Sequence, residues 1–326
     1  MKRNDWGRET NDLLPREMRR IHKRKRATRD PLKKKKPGIV DVKLMDIRGL
    51  KHGKIGVVDR RMIHEKILAK QINADLIKNS LGAMKHYNKI ILLAPHRVTE
   101  LENVKKIKML YPNTKVLLWW IGSDVLALNK LPKSVKFFRK FKNVNHLAVS
   151  QDLKEELWNN FKINSKVLPL VPNDGRQIID LPKQYTVASY IPYHKRGFYN
   201  FKLVKEVARR CPDVKFIIYG NKEHVECTDN MEQRGWVNNV EGILKDSSCL
   251  LRQTDHEGFP KSAMEFIRAG RYVITNHNFP HVFNSGNLYD IVNKINGKPI
   301  QSKEAVVYYN TEFCVKNFKK RLMKAW

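Results

Sequence analysis

The chain has 326 residues, enough to bury two cores of ordinary size. Lysine and arginine number 64 against 32 aspartate and glutamate, a formal charge of +32; this exceeds what solubility needs and points to a polyanionic partner or surface. No apolar run approaches the roughly 18–20 residues of a spanning helix, the charged N-terminus lacks the apolar segment of a secretory signal, and Cys211, Cys227, Cys249 and Cys314 show neither paired nor metal-binding spacing, so a cytoplasmic chain with reduced thiols is expected.

Residues 1–37 hold fifteen basic and five acidic side chains and too few apolar ones to nucleate a core. A mobile arm that touches phosphates is expected there.

Residues 38–172 alternate strands and helices. Strands are expected at 54–58, 89–94, 115–121, 145–149 and 166–170, runs of Val, Ile and Leu without alternation, as in parallel strands covered on both faces. Helices are expected over 62–86, 98–110, 133–142 and 152–161, the last capped by Ser150. This is the order of one Rossmann-like domain. The segment R-G-L-K-H-G-K-I-G (48–56) lacks the G-x-G-x-x-G spacing and reads first as a plain turn, second as a glycine-rich loop approaching a ligand. Asp124, with Ser123, follows the strand W-W-I-G, and His96 follows I-I-L-L-A-P. The carboxyl edge of a parallel sheet is where open α/β folds bind ligands; capping of the next helix by Ser123 or Asp124 is the other reading. Segment 130–142 sets Phe137, Phe138 and Phe141 on one side of a helix among Lys133, Lys136, Arg139, Lys140 and Lys142. A core helix with a solvated basic back, a nucleic-acid groove and a surface for anionic lipid all fit that pattern.

V-P-N-D-G-R-Q (171–177) reads as a linker. A second domain is expected over 173–310, and residues 311–326 as a helix with Phe313, Val315, Phe318 and Leu322 on its apolar face. Within the second domain, 249–276 reads strand, loop, helix, strand. Pro260 suits a first helical turn and Gly270 a C-cap, giving a helix over 260–269. Glu257 lies in the loop, and Glu265 lies roughly 6–8 Å along the helix axis. The first-turn N–H groups between them form an anion site. A sugar nucleotide places a diphosphate there and a hydroxyl-rich ring at each carboxylate: the sugar at Glu257, the ribose at Glu265. Lys261, Arg252, Lys195 and Arg196 are the cations that would offset carboxylate–phosphate repulsion. An ordinary amphipathic helix with one solvated glutamate behind an acidic loop fits the spacing as well.

The segment E-G-F-P-K-S-A-M-E-F-I-R-A-G-R-Y-V-I-T (257–275) resembles the E-G-x-x-x-S-x-x-E-A-x-A-x-G-x-x-V-I signature of retaining glycosyltransferases of the GT-B fold, family-four type. C-P-D-V-K-F-I-I-Y-G (211–220) is similar to a strand and glycine of that family's donor domain, R-G-W-V (234–237) to its base-binding turn, and 118–126 and 146–150 to its acceptor-domain strands. The resemblance implies an α/β fold of two Rossmann-like domains with parallel sheets facing a cleft, a C-terminal helix that returns to the first domain, and sugar transfer with retention from a nucleotide diphosphate such as UDP-glucose. It implies donor contacts from Glu257, Gly258, Phe259, Lys261, Ser262, Glu265, Arg252, Trp236 and Gly220. It sets Asp124, Glu257, Lys195 and Arg196 at the reacting centre, with Ser123 beside Asp124 toward donor or acceptor; His96, from its strand end, and Lys136, Arg139 and Lys140, from the basic helix, are the further acceptor candidates. Two departures stand out. H-K-R-G-F-Y (194–199) does not reproduce the family's glycine-then-Arg and Lys spacing, and N-H-N-F-P-H (276–281) replaces a Gly-Gly pair.

No D-x-D occurs, so neither a metal nor a cofactor is expected beside the nucleotide-sugar. The basic arm carries +10 and leaves +22 for the rest. DNA is therefore the expected acceptor, at a hydroxymethylated base of the kind phage enzymes decorate. The alternatives are a peripheral membrane transferase of cell-envelope glycans and a non-catalytic nucleic-acid-binding protein.

Overall fold

Short segments, apolar in the middle of the sheet and more polar at its edges, pair side by side to form β1 (Ile55–Asp59), β2 (Asp75–Lys78), β3 (Lys89–Leu93), β4 (Lys115–Trp120), β5 (Val144–Ala148) and β6 (Lys166–Val167). They make one parallel sheet in the order β2-β1-β3-β4-β5-β6. Between them run α1 (Ile63–Ile72), α2 (Leu81–Met84), α3 (Val98–Leu110), α4 (Ser123–Leu128) and α5 (Gln151–Phe161), the last capped by Ser150, whose hydroxyl accepts from the Leu153 N–H. The computed structural model describes residues 54–60, 63–95, 98–128, 130, 144–170 and 178–326. The expected basic arm at 1–37, most of the turn at 48–56, the helix at 133–142 and the linker at 171–177 lie outside those residues.

The second sheet holds β7 (Thr186–Tyr190), β8 (Lys215–Tyr219), β9 (Met231–Gln233), β10 (Cys249–Arg252), β11 (Tyr272–Thr275) and β12 (Phe283–Asn284), again all parallel, in the order β12-β11-β10-β7-β8-β9. Its helices are α6 (Phe201–Arg210), α7 (Glu241–Asp246), α8 (Lys261–Arg268), α9 (Leu288–Asn296), α10 (Lys303–Glu312) and α11 (Val315–Met323). The two-residue period of a strand sorts its side chains onto two faces. Ala188, Ile217, Leu250 and Val273 join a large apolar cluster that continues into the first sheet. Val187, Phe216, Ile218, Cys249, Leu251 and Ile274 join a smaller cluster with α6 and α9 on the other side.

Three expectations change. The helix expected over 62–86 is interrupted: α1 stops at Ile72, Asn73 turns the chain at φ +54, and D-L-I-K becomes the strand β2 before Ser80 caps α2. Asn tolerates the left-handed conformation that ends a helix. Only Ile77 of β2 is buried, so the strand carries little of the apolar signal that would announce it. The strand expected over 166–170 keeps only two residues, with Leu168 donating one more bond to Ala148 before Pro169, which has no N–H to give. Pro260 lies outside its helix rather than in the first turn: it occupies the N-cap of α8 with extended ψ.

The first sheet closes around two fully buried tryptophans. Trp119 donates to the Leu168 carbonyl at 3.0 Å and Trp120 to Nδ1 of His146 at 3.1 Å. Burial pushes the His146 pKa down to about 3, so it stays neutral and serves as an acceptor in the core. The C-terminal helix covers this region. Phe318 of α11 stacks on Trp119 with centroids 5.8 Å apart, α11 packs on α1, and Lys166 reaches the Lys324 carbonyl at 3.2 Å. Phe318 is 1% exposed, and truncating a buried Phe removes both its transfer free energy and its packing partners. Phe318→Ala is expected to lower unfolding stability by about 3–5 kcal/mol, read as a drop in urea midpoint at constant m-value.

Candidate functional site

In each sheet the strand order reverses beside the first strand, and the crevice at such a switch point is where open α/β sheets bind ligands. In the second sheet the switch lies between β7 and β10. The loop after β7 carries Lys195 and Arg196; the loop after β10 carries Asp255 to Pro260 and leads into α8. The two loops are tied, the Asp255 N–H donating to the Phe198 carbonyl at 3.0 Å. In the first sheet the switch lies between β1 and β3. There Arg60 donates to the carbonyls of Leu93 and Ala94 and pairs with Glu100 at 2.7 Å in a nearly dry setting.

The loop after β10 is wedged against the first sheet. A Cβ on Gly258 would stand 2.1 Å from the Ile121 carbonyl oxygen and 3.0 Å from Val149, so only glycine fits this approach. Beside it lies a cavity of about 210 Å³. One wall is Arg252, Glu257, Phe259, Pro260 and Lys261; the other is the α1 face bearing His64 and Gln71. The N-terminus of α8 opens here without a side-chain cap and without an acidic residue in its first turn. Its N–H groups and dipole make the spot favourable for an anion.

The sequence-derived residues distribute as follows. Arg252, Glu257, Phe259 and Lys261 line the cavity. Glu257 is held by Arg252, whose Nε and Nη2 donate to Oε2 at 2.7 and 2.5 Å, while Oε1 accepts from the Gly258 N–H at 3.1 Å. Arg252 also lies over the Tyr199 ring at 5.2 Å. Glu265 sits one turn into α8, 3.5 Å from the Lys261 ammonium, and Ser262 is half-buried between them. Glu265 and Arg252 both act on Tyr219, whose phenol is pushed up first by burial; its hydroxyl is buried with no partner among the described residues. Gly220 ends β8 at φ +90, with the Tyr190 ring where a Cβ would be. It donates to the Gly235 carbonyl at 2.7 Å, which joins it to the R-G-W-V turn; there Trp236 is 55% exposed and Arg234 pairs with Glu232 and Asp246.

Other candidates stand apart from the cavity wall. Lys195 and Arg196 are exposed, Lys195 5.9 Å from the Phe198 ring and Arg196 stacked on Tyr193 at 4.6 Å, where Arg196 lines a separate groove. Asp124 is buried, and its carboxylate accepts from the N–H groups of Gly122 at 2.7 Å and Ile121 at 3.1 Å. It thereby closes the turn between β4 and α4. Burial raises its pKa to about 7, against the pull of those bonds and of Arg60. Ser123 is the exposed first residue of α4. His96, Lys136, Arg139 and Lys140 lie outside the described residues. The N-H-N segment has its own role: Asn276 exchanges two hydrogen bonds with the Thr254 backbone and His277 meets the Thr254 hydroxyl at 2.9 Å, so side chains brace the loop where the resembled family has glycines. Among the described residues no group of three His, Cys, Asp or Glu is gathered to hold a metal, and no helix is long and apolar enough to cross a membrane.

Sequence reasoning missed three contributors. His64 and Gln71 show only as positions on a helix face, and no short motif marks them. His256, in the loop after β10, is marked by no motif, yet its Nε2 meets Glu156 Oε2 of α5 at 2.8 Å, a polar tie between the two halves. That bond raises the His256 pKa, burial opposes it, and Glu156, Glu257 and Asp124 add their charges. A histidine whose folded pKa exceeds its unfolded one stabilises fully below the unfolded value and loses that contribution as pH rises through the folded value. Wild type is therefore expected to lose no more than about 1 kcal/mol over that window relative to Glu156→Gln, in paired denaturation curves at successive pH values.

No protein-family model matches the chain, and no curated protein matches it in sequence. Solved structures do. HepE of Anabaena in complex with UDP-glucose superposes with a TM-score of 0.61 at 13% identity, over 83% of this chain and 98% of HepE. WaaB, a lipopolysaccharide outer core galactosyltransferase in its apo form, gives 0.58 at 14% identity, over 83% and 98%. TarM gives 0.56 at 14% identity over 76% of this chain; the match spans 55% of TarM, little more than half its length. The two parallel six-stranded sheets of this chain, with their flanking helices, match the fold of these proteins, and this chain has the GT-B fold.

Proposed function

We propose that the chain is a retaining glycosyltransferase that moves a sugar from a UDP-sugar to a hydroxyl on a polyanionic acceptor, a hydroxymethylated base in DNA. The observation that carries the reading is the uncapped N-terminus of α8 opening into the cavity between the sheets, with Arg252 and Lys261 beside it and Glu257 and Glu265 on either side. The diphosphate lies at the helix end, the ribose hydroxyls donate to Glu265, and the sugar lies toward Glu257. At about 210 Å³ the cavity is smaller than the roughly 300–1,000 Å³ usual for small-molecule sites; it takes the diphosphate, and the nucleoside runs out along β8 toward Trp236. HepE, of the same fold, binds UDP-glucose.

In the reaction the bond from the anomeric carbon to the diphosphate oxygen breaks, the acceptor oxygen bonds that carbon on the same face, and the acceptor proton passes to the departing oxygen. Charge growing on the diphosphate is met by Arg252, Lys261 and the α8 dipole, a preorganised set that needs no reorganisation during the reaction. Lys195 and Arg196 reach the diphosphate only if their loop turns inward, and Asp124 acts through the Ile121–Gly122 turn. Ser123, with His96, Lys136, Arg139 and Lys140, faces the acceptor in this reading.

DNA as the acceptor is supported by the +22 carried outside the basic arm, because phosphate contacts provide sequence-independent, salt-sensitive affinity. A second reading, a peripheral transferase of cell-envelope glycans, is favoured by the likeness to WaaB, which acts on lipopolysaccharide outer core.

Radiolabelled UDP-glucose incubated with hydroxymethylated duplex is expected to give labelled DNA, with and without EDTA, and retardation of the duplex that weakens as salt rises. Binding to anionic liposomes with no label in DNA from any common nucleotide-sugar would transfer the assignment to the envelope reading. Glu265→Ala is expected to weaken UDP-glucose binding about 10- to 100-fold, the size of a lost hydrogen bond to a charged group. Unchanged donor affinity in that variant would remove Glu265 from the donor site.

A further inference from the structure

The cavity wall opposite α8 comes from the other sheet's half. His64, Ile67, Leu68 and Gln71 fall at i, i+3, i+4 and i+7 of α1 and share one face. Leu68 anchors that face in the core, 1% exposed. His64 is the titratable group of the four. Its ring is partly buried and has no hydrogen-bond partner among the described residues. Burial lowers its pKa, and the Lys261 ammonium across the cavity lowers it further. The imidazole therefore rests neutral while facing a cation and a bare helix N-terminus. That pattern is unfavourable for an imidazolium and becomes favourable once a dianion lies between them.

We propose that His64 is a ligand of the donor diphosphate contributed by the half of the molecule that does not carry α8, and that it takes up one proton from solvent when the nucleotide-sugar binds. The inference rests on the donor-site reading above and adds to it a contact from the opposite wall. Charged groups stand in the same cavity, on α1 itself and on the elements packed against it. Arg252, Glu257 and Lys261 share its cavity. Glu65 and Lys66 flank it on α1, Asp59 stands on β1, Asp75 and Lys78 on β2, and Lys316, Lys319, Lys320 and Arg321 on α11. Of all these, Lys261 is the charge that shifts it. A diphosphate at the end of α8 enters the cavity that His64 lines and carries the opposite sign to Lys261, so its field shifts the ring the other way. Binding the donor thus draws α1 and α8 onto the same anion, which holds the cleft together around the reacting bond.

The test follows imidazole resonances by NMR between about pH 5 and 8, with the His64 signal identified as the one absent from His64→Gln. UDP-glucose is the probe, because its diphosphate is a diester with no proton titrating in that range. The His64 pKa is expected below the ordinary 6.5 in the free protein and to rise on saturation with UDP-glucose. By calorimetry, wild-type affinity is expected to increase as pH falls between the two values, by up to about tenfold per pH unit, with proton uptake from buffer. His64→Gln and His64→Asn, checked for wild-type thermal unfolding, are expected to bind with a flat pH profile. A His64 resonance unmoved by saturating UDP-glucose overturns the inference and leaves the donor site standing. Failure of the wild-type chain to bind any of UDP-, GDP- or ADP-glucose overturns the donor-site reading and the inference with it.

Discussion

The backbone of Gly258 lies against the carbonyl of Ile121, and most of what makes the cleft a site follows from that approach. A side chain at 258 would stand 2.1 Å from the carbonyl oxygen, a distance that could be relieved only by moving one sheet's loop away from the other. The same Ile121 peptide region is fixed from its own side, because Asp124 accepts from the N–H groups of Ile121 and Gly122. One surface is therefore held rigid by a buried carboxylate, and the other is made thin enough to meet it by a glycine. Glu257 and Phe259 flank the contact, so the first is turned toward Arg252 and the second toward Phe279 and Phe313 at about 5 Å. The chain then enters α8 with its N–H groups pointing into the cavity.

Electrostatics at this point is arranged before any ligand arrives. Glu257 is paired with Arg252, Glu265 lies beside Lys261, and the helix end is left uncapped. Each carboxylate has a cation to offset its repulsion of a diphosphate, and each cation retains donors for a second acceptor: guanidinium offers five and ammonium three. Arg252 uses two of its donors on Oε2 of Glu257 and lies over the Tyr199 ring at 5.2 Å. A planar guanidinium held in this way loses little entropy on taking a further oxygen.

The parallel sheets and the E-x7-E helix were legible because continuous apolar runs and a Pro-to-Gly helical window are local signals. Expected and observed strands agree to within a residue or so at β1, β3, β4 and β5, where all central residues but the half-buried Asn145 are buried. Signals failed where the determinant was a single backbone angle or a partner far along the chain. Asn73 at φ +54 splits what reads as one long helix, and β2, with one buried residue, has no periodicity to show. The tie between His256 and Glu156 spans 100 residues, and the cavity-facing position of His64 depends on where α1 docks. Neither is marked by spacing. Arg271 was likewise unreadable: it is fully buried and donates to the carbonyls of Leu244, Ile179, Ala269 and Asp180, which pins the chain as it enters the second sheet.

The loop between β10 and α8 is braced on every side, and that bracing bears on how the site can work. Its Asp255 N–H is taken by Phe198, Thr254 is held by Asn276 and His277, His256 by Glu156, Glu257 by Arg252, and Gly258 by contact with Ile121. A loop fixed at five successive residues cannot act as a flap. On the proposed reading, any widening of the cavity around the sugar comes from relative displacement of the two sheets rather than from this loop. Of this loop's ties, the two that cross to the other half are the His256–Glu156 bond and the Gly258–Ile121 contact; the bonds to Phe198, Arg252, Asn276 and His277 lie within one half and travel with the loop. A hinge motion of this kind concentrates its change in a few connecting residues while packed elements stay intact. On the proposed reading the anion cradle at α8, carried by one half, keeps its geometry when the halves move, which is the condition under which fixed dipoles stabilise a leaving diphosphate most effectively.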